Sequence, residues 1–534
     1  MAHPPANDTL ASRLTHQPVP LNFGTSGRRG LLVHLTQLEV YTNALAELEF
    51  LQTLPASEGG ITKGDPFFVA ADLRPSSTQY DAGHGGRGEI AQAILRAVRD
   101  AGLTPVFLGF IPTPALAAFA LSRGKGSIMV TGSHIPFDRN GYKTNTSRGE
   151  LLKHHEAPIA ESVARVRARL LAQPWPDSPF DESGRFKSGS APLPAILDDA
   201  RDFYLRRYLD FFPSGALSGL RILFYQHSAV GRDLVPAILE ALGARVHRAG
   251  RSETFVPIDT ENIDAPQLAA LQTLLDESSA HGPFDAVIST DGDSDRPLIL
   301  GVHPGAARVH FFPGDLAGIV TAQHLQAGAV VVPISCNDAI DQSTLAPVLQ
   351  PKTRIGSPFV IAGMEQALAL GCRNVCGWEA NGGFLTGSTI ELDLRTLPPL
   401  PTRDAVLPIL TVLASAAARR LSLIDLFATL PPRYGRAALL PNFPRPVALR
   451  ILERLTAEPA LIPRFFTPEL GFSAVARTDT TDGLRIMFQN GDVAHIRPSG
   501  NADELRIYAV ADSPSRAEAI TTSGILRSLE RELA

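Results

Sequence analysis

The sequence predicts an α/β protein made of three similar α/β domains and a smaller C-terminal α+β domain. Three observations carry this reading. The chain has 534 residues, enough for three to four domains at about 150 residues each. Strand and helix signals alternate through most of its length, as in open sheets with covered faces. Near Pro431-Pro432 the alternation gives way to closely spaced strands and a final helix.

The elements follow in order. Thr36 and Glu39 form the pattern of a capping box before an amphipathic run to Leu54. A buried strand at Phe67 to Ala71, a helix at Glu89 to Ala101, a strand at Pro105 to Phe110, a helix at Pro114 to Leu121 and a strand at Ser127 to Val130 make βαβαβ, which predicts parallel pairing. The Pro-, Ser- and Gly-rich stretch from Gln173 to Pro194 reads as a linker. The second block places a helix at Ile196 to Phe212, a strand at Leu220 to Tyr225, a helix at Asp233 to Leu242, and a strand at Ala286 to Ile288 that runs into Asp291. The third opens near Gly314, with strands at Ala329 to Pro333 and Asn374 to Gly377. In the fourth, strands are expected at Leu484 to Phe488, Val493 to Ile496 and Leu505 to Val510, with a helix from Ser515. The resulting division is 1–20 as a disordered leader, then domains at 21–190, 191–313, 314–430 and 431–534.

Composition narrows the function classes. Hydrophobic residues at 44% against 19% charged residues exclude wholesale disorder. A net charge of −5 lacks the basic surplus that nucleic acid requires, so no nucleic-acid partner is expected. The first twenty residues hold four prolines and no apolar run of signal-peptide length, so export is not expected. Leu316 to Asn337 carries no charged side chain, yet its Gln323, His324, Gln326 and Gly328 read as helix, turn and buried strand rather than a membrane span. Cys336, Cys372 and Cys376 are too few for a disulfide framework and wrongly spaced for zinc, which points to free thiols and a reducing, cytoplasmic compartment.

Five Gly-rich or polar clusters follow or interrupt strands, where open α/β sheets place ligands. They are Phe23 to Gly30, Thr131 to Lys143, Asp291 to Arg296, Gly377 to Gly383 and Arg497 to Asn501. Asp291, Asp293 and Asp295 are either a charged turn or a hard-cation site for Mg²⁺ or Ca²⁺, since alternate carboxylates can converge on one ion. An EF-hand fails, because Arg296 and Val302 stand where its Gly and Glu belong. Asp291 as the nucleophile of a haloacid-dehalogenase-like phosphatase is a second enzyme reading, weakened by Asp295 at the fifth position. Ser133 is a turn serine or a phosphoryl carrier. Neighbouring His134, Lys143 ten residues on, and an acidic cation site elsewhere favour the carrier, because a phosphoserine of charge about −1.5 to −2 needs a cation. Arg497, Ser499, Gly500 and Asn501, with Arg506 on the next strand, offer a guanidinium fork, a hydroxyl and free N–H groups, either as a phosphate cradle or as a surface turn.

In this order the clusters resemble the α-D-phosphohexomutase family, the phosphoglucomutases and phosphomannomutases, from about Phe23 to the C-terminus. The resemblance implies three domains with mixed sheets and a smaller fourth, heart-shaped around a cleft to which each contributes one loop. It implies a hexose 1-phosphate and hexose 6-phosphate interconversion through a phosphoserine and a sugar 1,6-bisphosphate, which also serves as activator. Ser133 would carry the phosphoryl group. Asp291, Asp293 and Asp295, with the phosphate on Ser133, would bind Mg²⁺. Glu379 and Asn381 would hold sugar hydroxyls, Arg296 of the metal-loop motif would also bind the substrate, and Arg497 to Asn501 with Arg506 would grip the distal phosphate. Arg29 and Lys143, with His134 beside the serine, are the implied acid–base set. A sugar phosphate is the implied partner, with no membrane, for a monomer or homodimer. A non-catalytic sugar-phosphate-binding protein is the alternative from another class. Departures are Ile135 for the usual Asn of the serine loop, Asn381 and Gly383 for the usual Ser and His of the sugar loop, and Asn501 to Glu504 for the usual T-E-P. The acid–base role of the missing histidine does not transfer, and its loss at Gly383 is expected to leave space in the site.

Overall fold

The computed structural model describes residues 8–24, 27–81, 87–261, 263–499 and 503–533. The first sheet runs Thr104–Phe110, Pro66–Ala71, Ser127–Val130, Arg139–Asn145 and Arg28–Leu31 across its width. Its first three strands are parallel and the last two antiparallel. The second sheet repeats this plan with Arg245–Arg251, Arg221–His227, Ala286–Thr290, Pro297–His303 and Arg308–Phe312. The third does so with Ala329–Val331, Val375–Trp378, Phe384–Thr386 and Leu400–Asp404. The expected parallel pairing holds for the three strands of the βαβαβ run, and the antiparallel strands beside them make the sheets mixed.

The antiparallel strands were hidden by their composition. Arg139–Asn145 reads RNGYKTN, with no apolar alternation. It is nevertheless buried from Asn140 to Asn145, because its polar groups are bonded across the domain, as Asn140 is to Ser76 and Ser77 and Thr144 to Glu47. The repeated plan has one functional result. In each domain the connection between the last parallel strand and its antiparallel neighbour emerges at the same place, at residues 131–138, 291–296 and 379–383.

The expected helix cap, leader and linker each need correction. Thr36 caps Gln37–Leu51 by accepting the Glu39 N–H at 3.0 Å, but the Glu39 carboxylate instead binds the Leu21 N–H and Arg167. Within the 1–20 segment expected to be disordered, residues from Asp8 onward are packed: Leu10 is fully buried and Thr9 bridges Pro174. The 173–194 stretch is likewise packed against the first domain, with Phe180 and Phe186 stacked 4.8 Å apart in the core that holds Tyr41. Proline-rich composition signals weak local preference, and long-range apolar contacts override it here.

One hydrophobic core runs through the first three domains, from Phe68 and Phe119 through Tyr204 and Phe224 to Trp378 and Phe384. Helix Asp199–Phe211 lies on this seam, packed on Thr113–Leu121, Leu234–Ala241 and Arg395–Leu397. The fourth domain is an antiparallel sheet in the order Tyr434–Pro441, Glu504–Ala511, Val493–Pro498, Leu484–Phe488 and Val475–Asp479, with a core of its own. Polar groups join it to the third domain. Arg433 binds Asp338, Arg485 donates to the Ile334 carbonyl, and the Ile355 N–H donates to Asp482.

Candidate active site

The first parallel sheet ends at Val130 and the chain turns at Thr131-Gly132 to present Ser133, whose backbone is left-handed at φ 53°. Local bonds hold that conformation. The Ser133 N–H donates to Thr131 Oγ1 at 2.7 Å and the Gly132 N–H to Asp72 Oδ2 at 3.2 Å. The buried Arg74 guanidinium donates to the carbonyls of Ser133, Pro136 and Arg139 at 2.8–2.9 Å and stacks on the Phe255 ring. A Cβ at Gly132 would lie 2.6 Å from Arg74 Nε, so the residue there must be glycine. The loop is thus moulded around an arginine, and Ser133 is fully buried with its Oγ–H donating to Asp291 Oδ2 at 2.7 Å.

Strand Ala286–Thr290 delivers the three aspartates, and all are buried. Among the described residues they are the one group of three such side chains close enough to share an ion, with one oxygen of each within 4.8 Å of the others. Asp291 Oδ1 accepts the N–H groups of Asp295 and Arg296 at 3.1 Å. Asp293 Oδ2 accepts from Thr113 Oγ1 at 2.6 Å and Lys143 Nζ at 2.8 Å, and Asp295 Oδ2 accepts from Lys143 at 2.6 Å and Arg403 Nε at 3.0 Å. The second oxygens of Asp293 and Asp295 are buried and accept no hydrogen bond among the described residues, with Arg296 Nε 3.7 Å from that of Asp295. Orphaned carboxylate oxygens converging in a dry site fit a hard cation such as Mg²⁺.

The third loop begins at Glu379, whose Oε2 accepts from Arg403 Nη1 at 2.8 Å. Asn381 Oδ1 accepts the Gly383 N–H at 3.0 Å and closes the turn. Gly383 does not leave space, contrary to expectation. A Cβ there would meet Arg403 Cδ at 2.5 Å and Cγ at 2.7 Å, so the arginine fills the volume. In the fourth loop Arg497 and Arg506 are paired across adjacent strands. Arg506 is held by Glu504 at 2.7 Å and Arg497 lies 3.4 Å from Asp482. The Ser499 N–H donates to the Glu504 carbonyl. Gly500 and Asn501 lie outside the described residues.

Comparison with known proteins decides the family. The chain matches "Phosphoglucomutase/phosphomannomutase, alpha/beta/alpha domain I" over residues 20–169, the corresponding domain III over 313–434 and the C-terminal domain over 452–523. It is 38% identical to a phosphomannomutase of Sinorhizobium fredii over 94% of this chain and 98% of that one. It belongs to the α-D-phosphohexomutase family. The mutase is also 36% identical to a phosphomannomutase of Salmonella muenchen, over 93% of each chain. Its fold matches the solved phosphoglucomutase/phosphomannomutase family protein of Burkholderia thailandensis at TM-score 0.66 and 17% identity, covering 96% of this chain and 98% of that one. It also matches the N-acetylphosphoglucosamine mutase of Aspergillus fumigatus, solved with GlcNAc-6P and magnesium, at TM-score 0.52 and 15% identity over 99% and 100%. Its activity class is that of a mutase that transfers phosphoryl groups. Among its described residues no helix is long and apolar enough to cross a membrane.

Charge in the mutase site is arranged in layers. Burial and the Asp293 and Asp295 carboxylates push Asp291 well up. Burial also opposes ionisation of Asp293 and Asp295, but Lys143 holds Asp293 well below the carboxylate range, and Arg403 with Lys143 holds Asp295 down. Burial, then the Arg296 guanidinium, brings Arg29 down to about 10, and burial with Arg296 and Arg29 keeps His134 neutral. Glu261 is exposed but within electrostatic reach of Arg296, Glu379 and Arg506: the protein crowded around its carboxyl and the Asp259 charge raise it to about 7, while Arg296 and Arg506 pull the other way. The sequence reading missed Arg74, Thr113, Glu261 and Arg403. Arg74, Thr113 and Arg403 follow or end strands at the same sheet edge as the loops, which is the signal that could have found them.

Proposed function

We propose that the enzyme interconverts hexose 1-phosphates and hexose 6-phosphates of mannose and glucose, with Ser133 as the phosphoryl carrier and a sugar 1,6-bisphosphate as the intermediate that also activates it. The observation that supports this best is the buried Ser133 hydroxyl bonded to Asp291 at the edge of the aspartate cluster. Asp291, Asp293 and Asp295 would hold Mg²⁺ beside the phosphorylated serine. When bound, the ion supplies charge neutralisation for the transferring phosphoryl group.

The chain's own residues do the rest. Lys143 and Arg403 keep two of the carboxylates ionised and fixed. Arg74 fixes the carbonyls of the serine itself and of Pro136 and Arg139 after it, so the hydroxyl is presented in one geometry. In the forward step the phosphorus–Ser133 Oγ bond breaks and a bond to a sugar hydroxyl oxygen forms. The hydroxyl proton leaves the sugar, and Ser133 Oγ recovers one. Arg29 and Lys143, the basic groups around the serine, are assigned to this proton traffic, with neutral His134 beside them. Glu379 and Asn381 would face the sugar, and Arg497, Ser499 and Arg506, with Arg296, its phosphate. Gly500 and Asn501 complete that assignment from sequence. Asp291 is a poor phosphatase nucleophile here, since its two oxygens already accept three hydrogen bonds.

Both epimers are expected to react, because the sugar must bind in two orientations to bring either phosphate to Ser133. Strong discrimination at C2 would need a buried polar partner left unpaired by the wrong epimer, worth up to about 10⁴-fold. The test is a coupled assay on mannose 1-phosphate and glucose 1-phosphate with the sugar bisphosphate present, alongside phosphopeptide mapping. Phosphate on Ser133 and loss of turnover in Ser133→Ala are expected. Full activity in that variant overturns the carrier, and a kcat/KM ratio above about 10³ between the epimers overturns the tolerance. Asp293→Asn is expected to weaken Mg²⁺ affinity and rate together, as followed by metal titration and turnover.

A further inference from the structure

Helix Asp199–Phe211 separates two kinds of surface at the three-domain seam. On one side Tyr204 and Tyr208 donate to the two oxygens of Asp404. On the other, Arg207 lines a cavity of about 1120 Å³ between the first and third domains, outside the active-site cleft. Phe203, Leu121, Met364 and Pro399 give that cavity apolar walls. Such a volume holds a metabolite-sized molecule, and its lining asks for an apolar body.

Arg207 is the feature that asks for a charge. It is only 9% exposed, and its Nε and Nη2 are buried without a hydrogen-bond partner among the described residues. Two other deeply buried arginines around the site behave differently: Arg74 spends its guanidinium on carbonyls, and Arg403 spends its own on carboxylates. The Asp404 charge reaches Arg207 but is already bonded by both tyrosines. Glu150 in the cavity wall is engaged by Ser357 and Thr402, and the other acids of the lining, Glu58, Asp210 and Glu365, are exposed. Nε and Nη2 are shut away from the cavity, so Nη1 is the donor left to meet a ligand. A guanidinium that makes no hydrogen bond among the described residues at the wall of an apolar cavity is half of an anion site.

We propose that this cavity binds an amphipathic organic anion, its charged group on Arg207 and its apolar body against Phe203 and Met364, and that occupancy is felt in the active site. The route is one short strand. In Leu400–Asp404, Pro401 lines the cavity, Thr402 bonds Glu150, Arg403 holds Asp295 and Glu379, and Asp404 anchors the helix that carries Arg207. A ligand that shifts this strand moves Arg403.

The test uses 1-anilinonaphthalene-8-sulfonate, an aromatic sulfonate of the required chemistry, titrated by fluorescence into the full-length protein. Arg207→Gln is expected to weaken binding at least tenfold, with an unchanged melting temperature showing that it is folded. Leu368→Trp, which fills part of the lining from an exposed helix position, is expected to weaken it similarly. Arg497→Gln, in the phosphate loop, is expected to leave dye binding unchanged. Equal binding by wild type and Arg207→Gln overturns the site, as does loss of binding in Arg497→Gln alone, which would put the dye in the catalytic cleft. Saturating dye is expected to change mutase kcat/KM at least twofold in wild type and not in Arg207→Gln; no change in wild type overturns the coupling. The binding arms read no turnover, so they stand or fall independently of the assigned mutase reaction.

Discussion

Gly383 is glycine because Arg403 stands where its side chain would go. The arginine spans Asp295 and Glu379, tying the loop that would hold the metal to the loop that would hold the sugar. Gly383→Ala is therefore expected to displace that guanidinium and lower kcat/KM about 10²-fold, the scale on which a misplacement of about 1 Å acts. The overpacking should cost about 1–3 kcal/mol of stability, so kinetics and melting measured together will show activity failing first. Arg403→Lys keeps the charge but cannot bridge both carboxylates, and a similar loss is expected. Wild-type turnover in Arg403→Lys would remove the bridge from the mechanism. Arg74→Lys tests the serine loop in the same way. It strands the carbonyls of Pro136 and Arg139, and a loss of about 1–3 kcal/mol for each in denaturant unfolding is expected.

At the scale of elements, strand Val493–Pro498 carries an acid sensitivity. His495 Nε2–H donates to the Asp482 carbonyl while Nδ1 is buried and has no hydrogen-bond partner among the described residues. Burial, with the Arg485 and Arg497 charges, brings its pKa down to about 4 against the Asp482 bond. Above pH 6.5 the folded and unfolded imidazoles are both neutral, and the stability is fully present. Between pH 6.5 and 4 only the unfolded form takes a proton, so stability falls as pH falls, by up to about 1.4 kcal/mol per pH unit. Unfolding midpoints measured across that range are expected to drop less steeply in His495→Gln. The elements also explain what the sequence could disclose. Strands such as Ser127–Val130 were legible because they are continuous apolar runs, and the loops were legible because chemistry-bearing residues stand directly after them. Arg139–Asn145 and Leu400–Asp404 were not, because their polar side chains are satisfied by partners up to 252 residues away, as Thr402 is by Glu150. No local pattern records such a partner.

At the scale of the molecule, the shared core makes one body of the first three domains, since each buried Phe or Leu along it contributes about 1.5–3 kcal/mol. The fourth domain is attached through Arg433, Arg485 and a few backbone groups instead. Arg433→Ala, which abandons Asp338 and the Gly491 carbonyl, is expected to split calorimetric unfolding into two transitions and to raise KM more than it lowers kcat. A single transition with unchanged KM would show the attachment to lie elsewhere. The strand Leu400–Asp404 imposes a further constraint. Thr402 meets the first domain, Arg403 the second and third, and Asp404 the helix at their seam, one residue after another. Because side chains alternate between faces of a strand, a slip of one residue would hand every partner the wrong group. The segment works as a reading frame. An insertion or deletion in the 393–399 approach is tolerable only if it is absorbed before Leu400, and one inside the strand breaks its polar links to all three domains at once.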